Sequence, residues 1–143
     1  MRKLLVIAGF LAAVPAAAAE VAVSGAWIRL IPGGGPSAGY ATLENRGSEP
    51  VALVGAECDA FGRVMLHKSV ESGGTSRMEH VSRVTVPPGG QRALAPGGYH
   101  LMLMKPKDPP KVGQTLEVTL RFADGSSRSV PFAVEPPYSQ GPQ

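Results

Sequence analysis

The sequence predicts an all-β domain, a two-sheet sandwich or Greek-key barrel of about nine short strands. Three observations carry this. The 143 residues include 18 Gly and 14 Pro, about a fifth of the chain where ~12% is usual, which leaves little room for long helices. Apolar and polar residues alternate in short runs, the two-residue period of a half-buried strand. Each run ends at a cluster of Gly, Pro, Asn or Asp, residues that either accept positive φ or preset their own. With 43% apolar and 17% charged residues, a chain of this length can bury one ordinary core, so disordered, collagen-like and multi-domain readings fall away.

In chain order, Arg2 and Lys3 precede an uncharged apolar run over 4–14, followed by Pro15 and the small residues Ala17, Ala18 and Ala19. This is the pattern of a secretory signal cleaved after Ala19. The run is shorter than the roughly 20 residues a membrane-spanning helix needs, and nothing later reaches that length, so the protein is not expected to be membrane-embedded. No Cys stands beside the cleavage site, which argues against a lipid anchor. Loss of Arg2 and Lys3 lowers the formal charge from +3 to +1, so much of the apparent basicity belongs to the signal. The expected strands cover 21–30, 39–45, 51–56, 63–68, 77–86, 91–94, 99–104, 115–122 and 129–134. Turns at Pro32-Gly33-Gly34, Asn45-Arg46-Gly47, Ser72-Gly73-Gly74, Pro88-Gly89-Gly90, Pro96-Gly97-Gly98 and Asp124-Gly125 separate several of them. The segment 135–143, with Pro136, Pro137 and Pro142, reads as a disordered tail. The expected organisation is therefore a signal peptide over 1–19, a β-sandwich domain over 20–134 and a tail over 135–143.

Several function classes lack their residues. Aromatics are 6% of the chain and no two Lys or Arg are adjacent after Lys3, so nucleic acid would find neither a stacking platform nor a phosphate-tracking stripe. Gly33-Gly34-Gly35 lacks the Lys-Ser/Thr of a phosphate loop. No acid-base pair or activated nucleophile can be named, so an enzyme is not expected. The single Cys58 cannot form an internal disulfide; between Glu57 and Asp59 its thiolate is disfavoured, and it reads as a buried thiol, with intermolecular pairing open. Trp27, in an alternating strand, is expected in the core.

Sulfur and imidazole stand out. His67, His80, His100, Met65, Met78, Met102 and Met104 are all the His and every Met after the initiator, and they lie between positions 65 and 104. Random placement would do this on the order of 4 times in 10,000. Side chains at i and i+2 of a strand share a face, so Met65 pairs with His67, Met78 with His80, and His100 with Met102 and Met104. Such a set is soft and uncharged, which suits Cu(I) better than Mg, Ca or Mn; zinc usually takes Cys, further His or a carboxylate. The competing reading is core packing, in which Met fills gaps and His is a hydrogen-bonded structural residue.

From His67 the chain runs ten residues to Met78, twenty-one to His100 and one to Met102. This spacing resembles the metal-binding signature of the PCuAC family of bacterial periplasmic copper chaperones. The surroundings are similar as well: Ala26-Trp27-Ile28-Arg29, Tyr40-Ala41-Thr42-Leu43-Glu44-Asn45, Pro88-Gly89-Gly90, the run from Gly97 to Met104, and Leu120-Arg121-Phe122. The resemblance implies a cupredoxin-like Greek-key fold in the periplasm, holding Cu(I) through His67, Met78, His100 and Met102. It also implies delivery of copper to cytochrome c oxidase, alongside a Sco-type thioredoxin-like protein. Two departures stand out. Many members have Met directly after the first His where this chain has Lys68, and the His- and Met-rich tail of some members has no counterpart in 135–143.

His80 and Met65 sit beside the signature without matching it, as an outer shell or as residues that only flank the site, with direct ligation the lesser alternative; Lys68 and Arg77 read by default as solvated surface charge, with a partner's acidic rim as the alternative. Two other readings remain open: a blue-copper electron carrier, which would need Cys58 beside the His and Met set, and a structural sandwich without metal.

Overall fold

A computed structural model describes residues 16–142 of the chain; most of the expected signal, 1–15, lies outside the described residues. A single helical turn α1 (Ala17–Glu20) precedes ten strands: β1 (Val21–Arg29), β2 (Ser37–Asn45), β3 (Val51–Glu57), β4 (Phe61–Ser72), β5 (Thr75–His80), β6 (Val84–Val86), β7 (Gln91–Leu94), β8 (Tyr99–Pro106), β9 (Thr115–Phe122) and β10 (Ser127–Glu135). The all-β class expected from the alternation is the one the chain adopts.

The strands form one hydrogen-bonded sheet in the order β5-β4-β8-β7-β2-β1-β10-β9-β3-β6, with β8 also paired to β2. The sheet folds over on itself, so that β3 packs against β4 and β6 lies against β7 and β2. Its inner face is apolar. Leu43, Leu53, Leu66, Leu101, Leu103, Leu120, Val118 and Phe132 are almost wholly excluded from solvent, each worth roughly 1.5–3 kcal/mol of burial. Gly39 lets β2 lie close to β8: a Cβ there would stand 3.2 Å from both Leu101 Cβ and Leu103 Cδ1. The buried Asn45 is fully used, donating to the Glu49 and Val86 carbonyls and accepting from the Gly47 amide, as a buried amide must be.

One expected strand is corrected. The stretch 77–86 is two strands, with β5 paired to β4 at one end of the sheet and β6 paired to β3 at the other. Its spacing by twos has two separate origins. Val84 and Val86 alternate into the core, whereas all of β5 is exposed.

At the chain ends, α1 crosses the expected cleavage point, with Ala18 buried and the Ala17 amide donating to Asp124. Beyond β10 the segment read as a disordered tail returns over β1: Arg29 donates to the Ser139 carbonyl at 2.9 Å, and Gly141 lies against the Trp27 ring. No described helix is long and apolar enough to cross a membrane.

Candidate metal centre

The register of three strands at one end of the sheet assembles the site. Ser72 and Thr75 pair across Gly73 and Gly74, which take φ of +58° and +79°. Two consecutive positive φ values define the tight two-residue hairpin whose twist suits flanking strands, and glycine adopts them without steric penalty. A hairpin of fixed length fixes the pairing beyond it. His67 therefore stands opposite His80, and Ser69 opposite Met78. On the other side of β4, His67 stands opposite His100 and Met65 opposite Met102.

These side chains share the outward face. Leu66, Leu101 and Leu103 point into the core, and none of the His or Met residues belongs to the apolar cluster or packs against it. That removes core filling as the reason for the Met residues. The imidazoles form a row across the sheet, with ring centroids of His67 5.9 Å from His100 and 6.0 Å from His80. Tyr40 and Trp27 extend the row on β2 and β1, at 6.4 Å from His100 to Tyr40 and 4.8 Å from Tyr40 to Trp27. Trp27 is buried as expected, but beneath Arg29 and the tail and outside the main core.

The ring nitrogens carry the chemical signal. His100 is 3% exposed, and its Nδ1 lies 3.2 Å from the Gly98 carbonyl. A carbonyl only accepts, so Nδ1 carries the proton and the Nε2 lone pair is free. Nε2 of His100 and both ring nitrogens of His67 are buried without a hydrogen-bond partner. Buried polar atoms are nearly always paired, and a metal-ligating His commonly donates its other N–H to a carbonyl, as His100 does. Burial holds the His67 imidazole below its ordinary pKa, and charge on His100 or His80 would push it the same way. The ring is thus kept neutral and able to donate a lone pair.

An ion about 2 Å from a ring nitrogen sits about 3 Å from the ring centre, so two imidazoles sharing it have centroids roughly 5 to 6.5 Å apart. The His67–His100 spacing of 5.9 Å falls in that range. Among the described residues no three His, Cys, Asp or Glu side chains could hold an ion together. Further donors at this place must come from the thioethers.

Of the four residues of the signature, the structure gathers His67, His100 and Met102 and leaves Met78 apart. Met78 is 58% exposed on the edge strand β5. It lies on the far side of the His row from Met102, two strands and four residues away, about 16 Å between Cα atoms from ordinary strand spacings. Met65, which the signature omits, is paired directly with Met102. Cys58 is buried in the core cluster, with its thiol pKa raised chiefly by that burial. Arg77 forms an exposed ion pair with Glu79, and Lys68 lies over the Tyr99 ring.

Comparisons with known proteins agree with the fold. Residues 21–134 match the LpqE-like family. "Putative lipoprotein Lxx21020" of Leifsonia xyli subsp. xyli is 40% identical over 80% of this chain and 69% of its own length. The solution structure of Cu(I)-DR1885 from Deinococcus radiodurans is 37% identical over 78% of this chain and 75% of that one, with a TM-score of 0.64. The apo PCuAC domain of PmoF1 is 28% identical over 82% and 95%, with a TM-score of 0.69. An outward row of orphaned imidazoles edged with thioethers, on a sheet shared with PCuAC domains, accompanies a family match across nearly the whole β domain: the chain belongs to the LpqE-like family.

Proposed function

We propose that this protein is a periplasmic copper chaperone that carries Cu(I) on the outward face of β4, β5 and β8 and gives it up to a copper-accepting protein. The ligands are His67, Met78, His100 and Met102. The two imidazoles lie on adjacent strands, with Met102 two residues from His100 on the same face, and in the proposed holo state Met78 joins them from the exposed edge strand as the β4–β5 hairpin closes. The observation that carries this reading is the set of buried, partnerless ring nitrogens on His67 and His100. The likeness to the Cu(I)-bound protein of Deinococcus radiodurans supports it.

Hand-off follows from where the donors sit. The core packs without any of them, so the ion contributes little to folding and can leave without unfolding the domain, unlike the metal of a zinc finger. An incoming partner's thiolates replace the thioethers and imidazoles one at a time, with copper remaining Cu(I) throughout. The recipients are the copper sites of cytochrome c oxidase, reached directly or through a Sco-type protein. Residues 1–19 export the chain, 20–134 form the carrier and 135–143 the tail.

Anaerobic titration with Cu(I) against a chromophoric chelator tests the proposal. One equivalent should bind, and Met78→Leu combined with Met102→Leu should weaken binding by at least an order of magnitude. No uptake, or unchanged uptake by the double variant, would falsify the assignment.

A further inference from the structure

The geometry points to Met65 as a fifth copper donor, the sulfur that completes the site while Met78 is away. This rests on the Cu(I) reading of the His67–His100 pair. Met65 and Met102 are direct cross-strand partners, as are His67 and His100, and the two pairs are two residues apart on the same two strands. Four soft donors thus occupy the corners of one four-sided patch, longer along the strands than across them. Directly opposed residues have Cβ atoms about 4.5–5.5 Å apart, and successive same-face pairs along a strand are about 6.7 Å apart. A flexible thioether reaches across such a patch to an ion held by the two rings.

Nothing else explains Met65. It is half-buried, lies outside the core cluster and faces the donor side between the inward-pointing Val64 and Leu66. Met78, by contrast, sits beyond the His row on a fully exposed strand. The site therefore has an inner set on β4 and β8, comprising Met65, His67, His100 and Met102, and an outer arm on β5. When a partner draws Met78 off, the Met65 sulfur takes its place on copper. One Cu–S bond breaks as another forms, without change of oxidation state.

The test uses the purified protein with 13C-labelled methionine methyl groups, plus the variants Met65→Leu, Met78→Leu and their combination. In the Met78→Leu protein, where the outer arm carries no sulfur, one equivalent of Cu(I) should shift the methyl resonances of Met65 and Met102 together. In the Met78→Leu background, adding Met65→Leu should lower Cu(I) affinity at least tenfold, since even removing an outer-shell partner can cost that much. The proposal is overturned if, in Met78→Leu, Met102 responds while Met65 does not, or if the double variant binds within twofold of Met78→Leu. Met78 lies on a fully exposed strand, so Met78→Leu keeps the fold, and should the double variant not fold, the methyl shifts of Met78→Leu decide. A protein that takes up no Cu(I) would instead remove the reading beneath the proposal, an outcome distinct from an unmoved Met65.

Discussion

Replacing His100 by Leu should abolish tight copper binding and leave the metal-free domain more stable. His100 is 3% exposed, its Nδ1–H donates to the Gly98 carbonyl and its Nε2 has no partner. Losing the hydrogen bond removes roughly 0.5–1.5 kcal/mol. The Gly98 carbonyl is not stranded, because the Ser69 amide also donates to it at 3.0 Å. Removing the orphaned nitrogen recovers about 1–3 kcal/mol, and Leu is close enough in volume to fill the space at small cost. The balance is a gain of about 1 kcal/mol, a few degrees in midpoint for a domain of this size. Thermal unfolding of the metal-free variant by circular dichroism, paired with Cu(I) competition, reads both halves. A variant that loses more than about 2 kcal/mol, or that keeps its copper affinity, would refute a free Nε2 lone pair whose natural partner is an ion.

Other expectations concern the strands that position the donors. Because the pKa of His67 is lowered in the folded protein, the unfolded chain binds more protons once pH falls below about 6.5, so metal-free stability should be flat above that value and decline below it. Urea midpoints between neutral and mildly acid pH would show this, with a shallower decline in His67→Leu. Gly39→Val should cost about 1–3 kcal/mol by overpacking, since its Cβ would stand 3.2 Å from Leu101 Cβ and Leu103 Cδ1; denaturant unfolding measures it. Alanine at both Gly73 and Gly74, each with positive φ, should cost about 1–2 kcal/mol per residue and weaken Cu(I) binding through Met78, while the ring resonances of His67 and His100 still respond together to added Cu(I) by NMR.

Much of this architecture is visible in the chain before folding. Strand alternation locates 91–94 and 115–122 to the residue because turn residues bound both, and the i, i+2 pairs identify the faces that carry sulfur and imidazole. The Gly73-Gly74 turn also implies the β4–β5 register, since a two-residue hairpin pairs Ser72 with Thr75 and therefore His67 with His80. The pairing of β4 with β8 has no such local signal. Thirty or so residues intervene, and which side chains meet there is set by packing of Leu66, Leu101 and Leu103 in the core. For that reason Met65 looks like a bystander in sequence and stands opposite Met102 in the fold. The split of 77–86 escapes detection because alternation does not distinguish donors facing water from valines facing the core. The return of the tail over Trp27 depends on Arg29 reaching the Ser139 carbonyl, a contact between opposite ends of the domain that no spacing rule encodes.

X-ray absorption at the copper edge of the Cu(I)-loaded protein is the most direct test of the central claim, that folding brings imidazole and thioether donors from separate strands onto one ion. The account predicts two imidazole nitrogens at about 2.0 Å together with sulfur at about 2.3 Å, distances typical of such ligands. A shell of nitrogen and oxygen alone, or a single imidazole, would contradict it.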